Sequence, residues 1–423
     1  MKKGILVVAA IAVLFGCMPR KMPHVEKPWV RIEKTAAGHF QMFVADKPFT
    51  VQGVCYAPIP IGKSHLFNFP SDPAKPWMVD GPLMQAMGVN TIRLYTPGDD
   101  WPACRAMIEE LYAQWGIRTI MGHSLGFWDY PPANYAEEEF LVKVTEDVLH
   151  MVDFFKDSPA ILFWNLGNEN NYSFDGRVNP WSTPEIDALP TFGEQSDERA
   201  RLYYSFINAL TKKIKAADPN HPVSLGNGET VGLKSAAEYC PDVDMIGAIV
   251  YRGKVFGNFF KEIKRKFDKP VVLTEFGCDA FNAVTQKEDQ NNQAIYLKSQ
   301  WLDLETHLAG GTGEGNCLGG VIFEWTDEWW KTSDSNRDSW LVHDTEAGWG
   351  VGAFAFDAKA GKNMNEEWFG IVAIAPELEQ GVNKRMPRKA YYVLQRLWTI
   401  DKAARAEEEK AADRRPLRGQ KIQ

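Results

Sequence analysis

Short apolar runs recur along the chain, each followed by a polar loop and then by a stretch whose apolar positions fall at helical spacing. Eight such runs read as strands: Phe49–Ala57, Asn90–Thr96, Arg118–His123, Ala160–Asn168, Pro222–Asn227, Asp244–Tyr251, Pro270–Gly277 and Gly319–Thr326. The amphipathic stretches after most of them read as helices: Asp100–Trp115, Glu137–Lys156, Asp197–Ala217, Thr230–Tyr239, Val255–Phe267 and Gln286–His307. Within Glu137–Lys156, the residues Phe140, Val144, Val148, Met151 and Phe155 form one stripe. Ser196 or Asp197 suits an N-cap and Gly116 a C-cap, and Pro159 and Pro219 stand just past helix ends. Strands alternating with helices imply parallel βαβ units, and eight of them favour closure over an open sheet. The predicted fold class is therefore α/β, a single-domain (β/α)8 TIM barrel over residues 49–400.

The flanks read differently. Trp29–Ile32 and Phe40–Val44, around Ala36-Ala37-Gly38, predict an N-terminal β-hairpin within residues 28–48, placed to plug the barrel floor. After the eighth strand, Lys331–Phe369 is rich in Gly, Asp and Trp, and loops of that length are usually functional when ordered. Arg388–Trp398 reads as the closing helix and 401–423 as a charged tail. At the other end, Lys2 and Lys3 precede an apolar run that Cys17 closes, which suits a signal segment over residues 1–17. Leu14-Phe15-Gly16-Cys17 resembles a bacterial lipobox, so Cys17 is the expected lipidation site. The expectation is an exported protein of the bacterial cell envelope, held to the membrane by a lipid.

Composition narrows the partners. A formal net charge of −8 leaves no basic excess to neutralise phosphates, so a nucleic-acid partner is excluded. The cysteines besides Cys17 are scattered without CxxC or His spacing, which predicts no metal site. Their odd number leaves at least one unpaired. The 15 Trp are many for 423 residues. Trp128, Trp181, Trp329 and Trp330 fall in predicted strand-to-helix loops, where indole faces could pack on sugar rings.

In such a barrel, chemistry gathers at the C-terminal ends of the strands. The fourth strand ends in Trp164-Asn165-Leu166-Gly167-Asn168-Glu169 and the seventh in Leu273-Thr274-Glu275-Phe276-Gly277. Each sets a carboxylate just past apolar residues, where burial disfavours charge. Paired carboxylates of this kind serve glycoside hydrolysis, one protonated to assist the leaving oxygen and one ionised to attack. Arg93 and Tyr251, at the ends of the second and sixth strands, are candidates to hold Glu275. His123, ending the third strand, either lines the site or is structural.

These motifs resemble glycoside hydrolase clan A. Gly88-Val89-Asn90-Thr91-Ile92-Arg93 is similar to the second-strand motif of family 2 catalytic domains, and the Asn168-Glu169 and Glu275 segments are similar to the two catalytic motifs. The resemblance implies Glu169 as acid/base, Glu275 as nucleophile, Asn168 on the sugar 2-hydroxyl and an aromatic floor on the eighth strand. Trp325 is the best match for that floor, with Glu324 on the opposite face of the strand. It also implies a retaining hydrolase that needs no cofactor and takes an oligo- or polysaccharide substrate, first a β-glucan. The segment Asp244–Gly277 and the run Phe323-Glu324-Trp325 resemble family 72 β-1,3-glucanosyltransferases as well, so transfer to an acceptor sugar stays open. Two other classes compete. One is a non-catalytic glycan-binding lipoprotein, which has no need to keep both glutamates and Arg93. The other is a serine esterase, suggested by Gly122-His123-Ser124-Leu125-Gly126, but Pro131-Pro132 follows where that motif needs a helix.

Overall fold

The computed structural model describes residues 30–129, 131–331, 339–345 and 364–400. The expected signal segment with Cys17 and the charged tail 401–423 lie outside them. An antiparallel sheet opens the chain: β1 (Val30–Lys34), β2 (Phe40–Val44) and β3 (Lys47–Phe49). The predicted hairpin is thus present, with a third strand added.

Then come β4 (Val51–Cys55), β5 (Thr91–Leu94), β6 (Arg118–His123), β7 (Ile161–Leu166), β8 (Val223–Gly228), β9 (Met245–Ile249) and β10 (Val271–Gly277). Two short strands, β11 (Phe281–Asn282) and β12 (Lys287–Glu288), pair with each other before β13 (Cys317–Phe323). β13 pairs in parallel with both β10 and β4, and this closes a barrel of eight strands. The helices are α1 (Pro76–Met87), α2 (Trp101–Trp115), α3 (Glu138–Phe155), α4 (Pro184–Asp187), α5 (Phe192–Ala217), α6 (Leu233–Tyr239), α7 (Phe259–Lys266), α8 (Gln290–Thr306) and α9 (Lys389–Gln395). The (β/α)8 expectation holds.

Three elements depart from the sequence reading. Helix α1 was not anticipated, because Gly81-Pro82 inside it reads as a breaker. Gly81 is required there: a Cβ would stand 2.3 Å from the Trp115 ring, so glycine lets α1 lie against α2. Helix α5 begins before the expected Ser196 or Asp197. Thr191 accepts from Glu194 N–H, and the Glu194 side chain answers to the Thr191 backbone, a reciprocal cap. The strands β14 (Val372–Glu379) and β15 (Val382–Pro387) form an antiparallel hairpin that leads into α9. Gly116, by contrast, does end α2, at φ 71°.

Strand alternation, interrupted in β7 by an irregularity that puts both Leu162 and Phe163 inside, sorts side chains into two cores. In β7, Phe163 joins an inner cluster and Trp164 an outer one, both fully buried. The outer cluster packs strands such as β5 (Ile92, Leu94) on helices through Leu111, Val148, Ile207 and Leu297. The inner one combines Val51, Leu162, Met245, Val272 and Leu318 with Val30, Met42 and Val44 of the first sheet. The sheet therefore closes the barrel floor. Burying Met42 fully contributes about 1.5–3 kcal/mol to that closure. The five described cysteines are free and buried.

Candidate active site

Glu275 stands near the end of β10, 6% exposed. Arg93, one residue before the end of β5, brings Nη1 to 2.7 Å from its Oε1. The same Nη1 also donates to the Thr274 carbonyl at 2.9 Å. Tyr95, just past β5, donates its hydroxyl to Glu275 Oε1 at 2.5 Å. Tyr251, past β9, donates to the other oxygen, Oε2, at 3.0 Å. Three side chains, two from the end of β5 across the barrel and one from the end of neighbouring β9, thus fix both oxygens. Burial and the neighbouring acidic groups push both phenols well above the ordinary tyrosine range, so both stay protonated donors. Burial opposes the charge on Arg93, but Tyr95 and Glu275 outweigh it and hold the guanidinium charged. A cation bonded to this carboxylate in a shielded site is worth far more than on the surface.

Glu169 is placed by a loop. Strand β7 ends at Leu166. Gly167 follows at φ 84°, where a Cβ would meet Tyr203 Oη at 2.6 Å. Glu169 itself is left-handed at φ 63°, unusual for a residue with a side chain. Two asparagines hold this path. Asn170 accepts from Asn168 N–H at 2.6 Å and donates to the Ser124 carbonyl and to Tyr135 Oη. Asn171 donates to the Gly228 carbonyl and accepts from Gly228 N–H, tying the loop to β8. Burial raises the Glu169 carboxyl to about 8, helped by the negative charges of Glu275 and Glu366. Near neutrality it carries its proton.

Other predicted residues fall into place unevenly. Asn168 accepts from Arg93 Nη2 at 2.6 Å, so one guanidinium links both carboxylate-bearing strands. His123 ends β6 half-buried, its Nδ1 accepting from Leu125 N–H at 3.0 Å. Burial lowers its pKa, which keeps the ring neutral. Trp325 is not brought to the cleft. It is fully buried in the outer core, 6.3 Å from Tyr391 of α9. The pleat of β13 ends at Phe323, so alternation cannot be extended to Trp325. Phe323 is the strand-end aromatic that packs in the inner cluster with Tyr95 and Tyr251. Trp181 is also core, its Nε1 donating to Ser173 at 3.0 Å. Trp128 is 60% exposed, and Trp329 lies almost parallel to His343 at 4.8 Å.

Tyr95, Asn170 and Phe323 were not singled out from the sequence. Tyr95 was within reach: two residues after Arg93, it shares that residue's face by strand period. After β13 the chain also gathers Glu324, Glu328 and Lys331, which meet Glu366 from the returning segment. Among the described residues no group of three or more His, Cys, Asp or Glu is arranged to hold a metal ion.

Residues 113–303 match the family model described as Glycosyl hydrolases family 2, TIM barrel domain. The resemblance to glycoside hydrolase clan A holds. The segment that matches runs from the end of α2 to α8 and so contains both carboxylate strands. Among curated proteins, the chain is 25% identical over 205 residues to "Probable mannan endo-1,4-beta-mannosidase F" of Aspergillus flavus, covering 42% of this chain and 39% of that one. It is 26% identical over 251 residues to 1,3-beta-glucanosyltransferase GAS5 of Saccharomyces cerevisiae, covering 55% and 46%. These matches span less than half the length of either relative. Among solved structures, a beta-D-glucuronidase from Dictyoglomus thermophilum superposes with a TM-score of 0.55 at 17% identity, covering 88% of this chain and 53% of that one. A family 2 beta-galacturonidase from Eisenbergiella tayi gives 0.53 at 17%, covering 88% and 54%. At that identity these two likenesses concern the barrel fold alone.

Proposed function

We propose that this chain is a glycosidase that cleaves a β-linked glycan with retention, by double displacement. Glu169 gives its proton to the glycosidic oxygen while Glu275 attacks the anomeric carbon, and the bond to the leaving sugar breaks. The resulting glycosyl-enzyme is opened by water, whose proton returns to Glu169. Arg93, Tyr95 and Tyr251 aim Glu275. Asn168, beside Arg93, is set to meet the sugar 2-hydroxyl, and Phe323 replaces Trp325 as the aromatic under the reacting ring.

One observation carries this reading. A carboxylate gripped by Arg93 and two tyrosines shares a site with a carboxyl raised to about 8. Environments that drive two acids apart are what acid/base and nucleophile roles require. The test is a screen on linked β-oligosaccharides, with the anomeric configuration of fresh product followed by NMR. Retained configuration supports the reading; inverted product rejects it.

Similarity to a glucanosyltransferase over 55% of the chain favours a second reading of the same site, with an acceptor sugar in place of water. Products longer than the substrate in that screen would select it. We also place the enzyme at the bacterial cell envelope, lipid-anchored through Cys17, on the strength of the N-terminal sequence. Cys17→Ala should then release it from the membrane fraction; unchanged fractionation would reject the anchor.

A further inference from the structure

Phe323 sits beside the reacting carboxylate by strand register. It pairs with Gly277, two residues after Glu275 on β10. Over the Phe323 ring lies the Lys331 ammonium, 5.0 Å from the centroid. Its Nζ is 3.0 Å from Glu328 Oε2 and in direct contact with the Glu366 carboxylate. The Glu328 side chain is only 6% exposed and that of Glu366 17%. Next to them Glu324 is 1% exposed, and its Oε1 has no hydrogen-bond partner. Burial and the Glu328 charge keep Glu324 protonated. The other cation at the site, Arg93, is engaged by Glu275, Asn168 and the Thr274 carbonyl.

The two cations that meet Glu275 and the Phe323 ring, Arg93 and Lys331, are thus already engaged. Lys331 is shared between two carboxyl groups, so it is not free for a third. An incoming sugar carboxylate would meet those acidic oxygens. To pair with Lys331 it would have to strip a shielded glutamate of its partner, which is costly. An uncharged sugar pays neither cost, and its hydroxyls can donate to Glu328 and Glu366.

Building on the glycosidase reading, we propose that the Lys331–Glu328–Glu366 group makes this site select sugars without a carboxylate. The selection is against uronides, although solved barrels of the same shape include proteins named for glucuronides and galacturonate. Glu328 and Glu366 are specificity-determining residues through charge, and Lys331 holds them in place rather than serving as an anchor for acidic sugar.

The experiment compares kcat/KM of the full chain on 4-nitrophenyl β-glucoside, β-mannoside and β-galactoside with that on 4-nitrophenyl β-glucuronide. For an endo-acting site, β-glucan and mannan are set against polymannuronate. The best neutral substrate should exceed its acidic counterpart by about a hundredfold or more, as expected where a buried charge is left unpaired. The double variant Glu328→Gln/Glu366→Gln, its fold checked by circular dichroism and thermal melting, should narrow that ratio at least about tenfold by freeing Lys331. Equal or faster turnover of the uronide overturns the proposal, as does an unchanged ratio in the folded double variant. If that variant does not fold, the single variant Glu366→Gln is read the same way. Absence of turnover on every substrate removes the glycosidase reading and this inference together, whereas uronide turnover removes the inference alone.

Discussion

Glu275 and Glu169 are the same amino acid in one site, yet their surroundings are opposites. Glu275 belongs to strand β10 and has Arg93 and two tyrosine hydroxyls on its oxygens. Glu169 hangs from a left-handed turn, and no side-chain donor among the described residues meets its carboxyl. Burial therefore acts on the two differently. At Glu275 both oxygens have fixed donors, one of them the Arg93 guanidinium. At Glu169 the charges of Arg93 and Lys331 offset burial only in part, so the proton stays. Role follows from what surrounds the carboxyl rather than from the residue type, and each prediction below breaks one side of that contrast.

The largest effect should come from Glu275→Gln, which keeps the shape and removes the attacking charge. Turnover of any glycoside should drop at least about ten-thousand-fold, with an unchanged thermal melt showing that the fold survives. Glu169→Ala removes the proton donor instead. A loss of about a hundred- to ten-thousand-fold is expected on substrates with poor leaving groups. Azide should restore part of the rate with an activated aryl glycoside, giving a glycosyl azide of retained configuration. Arg93→Met strikes the support of Glu275. It leaves a buried carboxylate without its cation and should cost about 3–5 kcal/mol of stability in a denaturant titration.

Smaller effects sharpen the contrast. Tyr95→Phe deletes one bond to a charged group, and kcat/KM should fall about tenfold with the melt nearly unchanged. The pH profile probes Glu169 directly. Its carboxyl works as the acid only while protonated, so kcat/KM should decline as pH rises through about 8. The sign is fixed: a raised carboxyl pKa gives a basic limb, and Glu169→Gln should abolish that limb. An unchanged limb in the variant would assign the proton to another group. Last, Trp128→Ala should raise KM for long oligosaccharides while leaving short aryl glycosides alone, because that ring is exposed in the loop after β6.

The barrel was legible because its signal is periodic. Apolar runs and amphipathic stretches alternate over most of the chain, and all eight strands overlap their predicted spans. What escaped depended on contacts that sequence spacing does not carry. Helix α1 hid behind Gly81 and Pro82, and Gly81 matters only because Trp115 lies against it. Both glutamates and Arg93 could be named from strand ends, whereas Tyr95, two residues after Arg93, was within reach but not singled out. Trp325 could not be placed the same way. Where β13 stops being a strand, its two-residue period stops too, and the indole turns to α9 while Phe323 stays inside. Asn170 and Asn171 illustrate another limit. Their work is to hold a turn through partners on β8 and in the loop after β6, and nothing in their own spacing announces those partners.

The most direct measurement is covalent trapping with a 2-deoxy-2-fluoro-β-glycosyl fluoride of the preferred sugar, followed by mass mapping of the digested protein. One equivalent of fluorosugar on the peptide bearing Glu275, formed as activity is lost and released as activity returns, is the predicted result. Label on Glu169 or on Ser124, or time-dependent loss of activity without any sugar adduct, would contradict the division of labour between the two carboxyls.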